Sequence, residues 1–256
     1  ESRLVTVWGG FSTKWYGALI QNQQILDAAW LSLKVAAVSA TLAVVLGTFA
    51  GMILARFGPF RGRTLLSGMT TAPLVMPEVI TGLSLLLLFV TLEQLIGWPA
   101  GRGMTTIIIA HVTFAMAFVT VVVQSRLAQI DESLEEAAQD LGARPAKVFF
   151  LITLPIIFPA LLSGWLLAFT LSLDDLVIAS FVAGPGSSTL PMVVFSKVRL
   201  GVSPDINALA TILITIVAIG VAVAGVAMSR QQKLRDRDAQ MALAANQQMI
   251  DSLKKG

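Results

Sequence analysis

Apolar positions along the chain fall in long unbroken blocks, not in the alternating or one-faced patterns of water-facing elements. Five blocks, at approximately 28–55, 65–92, 104–125, 159–182 and 206–228, are long enough to cross a bilayer, which takes about 20 apolar residues in a helix. The connections between them are too short to hold a soluble domain. The pattern predicts an all-α membrane protein with five transmembrane helices.

Local signals mark the ends of these blocks. Ser203-Pro204-Asp205 supplies a cap residue, a proline for the first helical position and an acid for the first turn, just before the last block. Gly58-Pro59 and Gly62 punctuate a tight turn after the first block. Ser39, Ala43, Gly47 and Gly51 recur every four residues, a ridge of small side chains on which another helix packs closely. Pro73 and Pro77 lie inside the second block and predict a kinked or interrupted helix.

Composition agrees with a membrane protein and narrows its chemistry. Hydrophobic residues make up 55% of the 256 positions and charged residues 13%, about half the charged share of soluble domains. The chain has no cysteine, which excludes disulfide scaffolds, thiolate metal sites and cysteine nucleophiles. One histidine leaves little for a histidine-based metal site. No Gly-x-x-x-x-Gly-Lys-Ser/Thr phosphate loop is present, so no nucleotide site is expected in this chain.

The net charge of +3 matters less than its distribution. Segments 56–64, 126–150 and the tail from 230 carry 12 Lys/Arg, against 5 on the opposite side, with Lys34 inside a span. The positive-inside rule makes the richer side cytoplasmic. Residue 1 then lies outside and the C-terminal tail inside, giving an external segment 1–27 (periplasmic if the membrane is a bacterial inner one), a membrane domain 28–228 and a cytoplasmic tail 229–256. An outside N-terminus needs an upstream helix to deliver it, so a sixth, more N-terminal span is expected.

The informative cytoplasmic segment is 126–158. Residues 131–141 have helix-forming composition, with acids crowded at the start, where the helix dipole favours them. Gly142 is placed to stop that helix in a left-handed conformation. Pro145 suits the first turn of a second short helix carrying Val148, Phe149 and Phe150, and Pro155 is expected to end it. Physical reasoning reaches a helix–glycine–helix knob, a docking surface.

The residues of this knob carry a family resemblance. Glu136-Ala137-Ala138, then Gly142, then Ile152 and Leu154-Pro155 resemble, at every specified position and spacing, the EAA signature of permease subunits of binding-protein-dependent ABC importers. That resemblance implies the MetI-like permease fold of type I importers. It implies a hairpin seated in a cleft of a cytoplasmic ATPase, Glu136 contacting the ATPase and Gly142 making the turn. Implied partners are a second homologous permease subunit, two cytoplasmic ATPase subunits and a periplasmic binding protein, in the bacterial inner membrane. No nucleic acid is expected as a partner. ATP and magnesium would belong to the ATPases.

A second resemblance concerns substrate. The stretch from Gly164-Trp165 through Asp174-Asp175 to Phe181 looks like the permeases of polyamine importers, most of all the second permease of putrescine importers. So do Ala72-Pro73 through Pro77-Glu78 and Gly201 through Thr211. The resemblance implies transport of putrescine or a related polyamine, taken up from a periplasmic polyamine-binding protein.

The acids have a reading of their own. An intramembrane carboxylate costs about 2.5–3.5 kcal/mol on insertion scales and so tends to face protein or water. On a continuous 159–182 helix, Asp174 and Asp175 lie roughly 6 Å beyond the midpoint and point about 100° apart. Asp175 then shares a stripe with Gly164, Ala168, Ser172 and Ala179, and Asp174 one with Ser163, Thr170 and Phe181. One acid lining a passage while the other braces a neighbouring helix satisfies this geometry. Glu78, after Pro77, is a candidate for the passage or for a structural hydrogen bond. The candidate pathway set is Asp174, Asp175, Glu78, Trp165 and Thr170. His111 reads as a helix–helix hydrogen-bonding group. The loop 183–205 is a candidate contact for an external partner, or a solvated loop with one interfacial helix.

Two other classes compete. An intramembrane aspartyl protease needs paired acids on separate helices, in Gly-x-Gly-Asp and Tyr-Asp contexts that the chain lacks. A gated cation channel would use a ring of acids and has no need of the hairpin. A permease for another small amine or amino-acid-like solute stays open.

Overall fold

The structure, a computed structural model, describes residues 12–200, 204–215 and 219. Ser203, most of the last predicted span beyond 215, the tail 229–256 and residues 1–11 lie outside the described residues. The chain divides into two units, 1–21 with 202–256, and 22–201. The first contributes α1 (Lys14–Ile20) and a helix over Pro204–Thr215. Among the described residues there is no strand.

Residues 22–201 form the bundle. Helix α2 spans Gln23–Arg56, capped by Asn22, whose side chain accepts the Ile25 N–H at 3.3 Å. Then follow α3 (Arg63–Val75), α4 (Glu78–Ile96), α5 (Met104–Leu127), α6 (Ser133–Asp140) and α7 (Pro145–Val148). A π-helical turn over Phe149–Thr153 leads into α8 (Leu154–Leu173), followed by α9 (Val177–Val182) and α10 (Leu190–Leu200). Among the described residues four helical runs are long and apolar enough to cross a membrane: Gln23–Arg56, Glu78–Ile96, Met104–Leu127 and Pro145–Leu173.

Two of these differ from the apolar blocks in an instructive way. The second block is two helices, because Met76 is extended (φ −79°, ψ 136°), as the residue before a proline prefers. Pro73, by contrast, is accommodated inside α3. The fourth block breaks at Asp174-Asp175-Leu176, so the two acids do not ride one continuous helix. Pro155 does not end a short helix as expected. The π turn before it, where the Leu154 N–H reaches Phe149 O, absorbs the missing donor and the ring, and the helical run continues from Pro145 to Leu173. The hairpin is therefore fused to the span that follows it.

The small-residue ridge organises the core. Ser39, Ala43, Gly47 and Gly51 are all buried on α2 and face α5, with Ala40, Ala43, Val119, Val123, Ile157 and Ala168 in one apolar cluster from α2, α5 and α8. A Cβ at Gly47 would fall 2.8 Å from Val119 Cβ and 3.0 Å from Met116 O, and one at Gly51 2.9 Å from Val123 Cγ1. Gly47→Leu should therefore destabilise the bundle by the about 1–3 kcal/mol typical of overpacking, or more. A melting curve of the purified subunit in detergent reads this as a clear fall in Tm, and an unchanged Tm would contradict the packing assignment.

Candidate functional site

Two places in the bundle carry chemistry: the hairpin at one end and the helix break within the membrane-spanning part. At the hairpin, Asp131 accepts the Ser133 N–H at 3.0 Å. The Ser133 backbone and hydroxyl hold its carboxyl below the usual range, so the anionic cap persists as pH falls. Helix α6 carries Glu135 and Glu136 in its first turn. It ends at Gly142, which is left-handed (φ +86°). The Gly142 N–H reaches Gln139 O at 2.8 Å and the Ala143 N–H reaches Ala138 O at 3.0 Å, a closure that uses the last free carbonyls. Arg144 is extended ahead of Pro145, which opens α7.

Glu136 and Ala137 point to solvent, whereas Ala138 is half-buried. Leu141, 90% exposed, stands beside the turn, and Phe150 and Leu151 are exposed on the π turn. Ile152 and Leu154 are half-buried and Pro155 is exposed. A cavity of about 360 Å³ opens between the end of α2 and the hairpin, lined among others by Arg56, Glu135, Glu136, Gln139 and Phe149. An anionic rim with exposed apolar residues is the surface a protein partner can grip.

The hairpin is also fastened to the bundle. Arg56, at the last position of α2, places Nη1 2.9 Å from Glu132 Oε1 and Nε 3.4 Å from Glu135 Oε2. Its Nη2 donates to Ile130 O at 3.4 Å. Thr153 of the π turn donates to the other oxygen of Glu135 at 2.9 Å. Arg63 donates to Leu54 O at 2.7 Å and also to Gly58 O and Phe57 O, closing the carbonyl end of α2 where a cation suits the helix dipole.

At the second place, the break between α8 and α9 is built around His111. Its Nε2 lies 3.1 Å from Asp175 Oδ2 and its Nδ1 2.6 Å from Ser172 Oγ. The Asp175 carboxylate can only accept, so Nε2 carries a proton toward it; at Nδ1 a neutral ring accepts from the Ser172 hydroxyl and a protonated ring donates to it. Asp175 also accepts the Ile178 N–H at 3.2 Å and the Ala179 N–H at 2.7 Å. It caps α9 and braces α5 at once, with His111 2% and Asp175 7% exposed at the side chain. The expected helix–helix role of His111 is what the geometry displays. Helix α9 in turn packs on α4, where a Cβ at Gly82 would meet Phe181 Cδ2 at 2.7 Å.

Asp174 differs from its neighbour. It ends α8, its N–H bonded to Thr170 O at 3.2 Å, and its side chain is exposed in the isolated chain, as are those of Thr170 and Ser163 along the same face of α8. Phe181 does not extend this face, because the helix has broken and its ring lies on α4. Glu78 is the first residue of α4 and exposed. Trp165 lies about 140° around α8 from Thr170. Its indole N–H donates to Thr41 Oγ1 on α2 at 3.1 Å and its ring stacks on Phe169 at 5.2 Å. Thr170 and Asp174 thus share a face that Trp165 does not. Sequence reasoning gave no site role to Arg56, Glu135 or Thr153, and set Ser172 on the stripe of Asp175 without its bond to His111. Their partners lie 18 to 76 residues away along the chain, a relation that no local pattern carries.

Comparison with known proteins identifies this architecture. The family described as binding-protein-dependent transport system inner membrane component matches residues 43–238, which include the break and the whole hairpin. The chain belongs to this family. It is 62% identical over 242 residues to the putrescine transport system permease protein PotI of Escherichia coli (strain K12), covering 94% of this chain and 86% of that one. It is 42% identical over 216 residues to the spermidine/putrescine transport system permease protein PotC of the same strain, covering 84% and 79%. Among solved structures, the MetNI methionine ABC transporter in inward-facing conformations matches with a TM-score of 0.64 at 18% identity, covering 86% of this chain and 98% of the other. A bacterial ABC transporter involved in import of the acidic polysaccharide alginate gives 0.68 at 17% identity, covering 87% and 85%. The fold is therefore the all-helical, MetI-like permease fold of type I importers, and the chain is a multi-pass inner-membrane permease.

Proposed function

We propose that the chain is the permease subunit of an ATP-driven importer that moves polyamines, putrescine above all, by alternating access. The observation that carries this reading is the 62% identity with the putrescine permease across 94% of the chain. An intact hairpin with Gly142 left-handed supports it. The richer Lys/Arg side, with the hairpin and the C-terminal tail, faces the cytoplasm.

The working complex has a second homologous permease, two cytoplasmic ATPase subunits gripping the hairpins, and a periplasmic polyamine-binding protein. ATP and magnesium are held by the ATPases. Closure of the ATPases displaces the hairpins and opens the passage outward, and hydrolysis returns it inward. Within the passage, Asp174 and Thr170 on one face of α8, and Glu78 at the start of α4, meet the substrate. Asp175 braces the break with His111, and Trp165 packs α8 on α2. Polyamines suit such a lining. Aliphatic amines titrate near about 10.4 and so stay cationic at neutral pH, and a few carboxylates offset lost hydration without a deep well that would slow release.

Uptake of labelled putrescine, spermidine and spermine into proteoliposomes bearing the complete complex tests the substrate class. Putrescine should be taken up fastest, with spermidine the runner-up, since PotC is a spermidine/putrescine permease. Failure of all three, with uptake of an amino acid instead, would overturn the polyamine reading.

A further inference from the structure

The hairpin could pass force to the membrane domain through its covalent fusion to α8 alone. The geometry provides a second route. Arg56 closes α2, the helix that packs along both α5 and α8 at the centre of the bundle. Its guanidinium reaches two acids of the hairpin and one carbonyl before it: Glu132 at 2.9 Å, Glu135 at 3.4 Å and Ile130 O at 3.4 Å. The side chain is 12% exposed, and Glu135 17%. Glu135 is also bound by Thr153 of the π turn at 2.9 Å. Glu135 thus sits between the end of α2 and the start of the α8 run, immediately before Glu136.

A surface pair of this kind contributes little when isolated. A planar guanidinium that donates to Glu132 and the Ile130 carbonyl while pairing in charge with Glu135 is different, because its two hydrogen bonds fix direction as well as distance. The rest of the contact between α6 and the bundle is thin: α6 has no buried residue of its own. The apolar anchors of the hairpin, Val148 and Ile130, lie outside α6, so α6 itself follows α2 through the polar contacts that tie it there.

We propose that Arg56 is a positioning residue for transport: it transmits displacement of the ATPase-bound hairpin to α2, so that α2 and α8 move together. The proposal rests on the docking of ATPases at the hairpin. Arg63, which closes the carbonyl end of α2 with bonds to Leu54, Phe57 and Gly58, stiffens the point where the force arrives. The strut is a property of this chain alone and needs no residue from a partner.

The test uses the complete complex in proteoliposomes and reads ATP hydrolysed per putrescine imported, beside the amount of ATPase that co-purifies. Arg56→Gln keeps length and polarity but loses the charge. It should assemble with a full ATPase complement and continue to hydrolyse ATP, while the ATP consumed per putrescine rises about tenfold, within the range typical of coupling between sites. Arg56→Lys, which cannot hold Glu132, Glu135 and the Ile130 carbonyl together, should give a smaller rise of about threefold, a partial loss of the same coupling. A wild-type ratio in either variant overturns the proposal. So does a parallel fall of transport and hydrolysis, or failure of both variants to assemble, each of which gives Arg56 a purely structural role. Glu136→Lys run alongside separates the two ideas. If it too couples normally, the docking reading fails; if it uncouples while Arg56→Gln does not, only the strut fails.

Discussion

Gly142→Val is expected to leave the subunit inserted in the membrane and to abolish coupled transport. At φ +86° Gly142 occupies the left-handed region, which costs an L-residue about 1–2 kcal/mol and a β-branched one more. A Cβ there would meet nothing within 4 Å, so the penalty is conformational and no neighbour has to shift. The effect should therefore stay local: the turn opens, and the Gly142–Gln139 and Ala143–Ala138 hydrogen bonds are lost. Exposed Leu141 and Glu136 are then no longer presented together. The spans, whose packing lies elsewhere, should be undisturbed. Glu136→Lys should give the same phenotype by charge, since it reverses one of two acids in the first turn of α6. The purified complexes decide this by ATPase content and substrate-stimulated hydrolysis. Normal values for both in Gly142→Val would remove the hairpin from the mechanism.

The adjacent acids of the α8–α9 break should respond in opposite ways to the same substitution. Asp174→Asn keeps shape and the backbone bond to Thr170, and removes a charge from an exposed position. Polyamine uptake should fall severalfold, with assembly and Tm unchanged. Asp175→Asn removes the carboxylate that accepts from His111, Ile178 and Ala179. An amide has one acceptor oxygen for these three donors, and the α9 cap loses its charge. Loss of a cap costs about 0.5–2 kcal/mol and an unpaired buried polar group about 1–3 kcal/mol, so Tm should fall. His111→Ala should reproduce that loss, and in the double variant the two losses should not add, because both break one network. Equal, wild-type uptake and Tm in both aspartate variants would contradict both roles.

How far these roles were legible in the sequence depended on distance along the chain. The hairpin was readable because its logic is local: acids at the start of α6, Gly142 at its end and Pro145 opening α7 all act within a turn or two. The small-residue ridge was readable because a four-residue repeat describes a helix face whatever lies opposite. The breaks were readable only where a proline announced them. Pro77 signalled the interruption before Glu78, but nothing in the apolar run through Leu173 and Val177 signals the break at Asp174–Leu176. There the helix gives way because Asp175 leaves the helical path to cap α9 and meet His111, a partner 64 residues earlier. Pro155 misled in the opposite direction. Proline usually ends a helix, yet a single π turn absorbs it and keeps the hairpin continuous with its span. Trp165 was grouped with Thr170 by proximity in sequence, whereas the helix sets them on different faces and the indole is held by Thr41. The Arg56 strut lay beyond sequence reasoning altogether, because it joins α2 to the hairpin across 76 residues.

The central claim, that substrate crosses this fold only when ATPases drive the hairpins, is tested most directly by putrescine flux with and without ATP hydrolysis. Proteoliposomes containing the complete complex and the binding protein are given labelled putrescine, with ATP alone or with ATP and vanadate to block hydrolysis. The account predicts accumulation above the external concentration with ATP and no net uptake when hydrolysis is blocked. The same flux in both conditions, running only down the gradient, would contradict it and make the chain a cation channel.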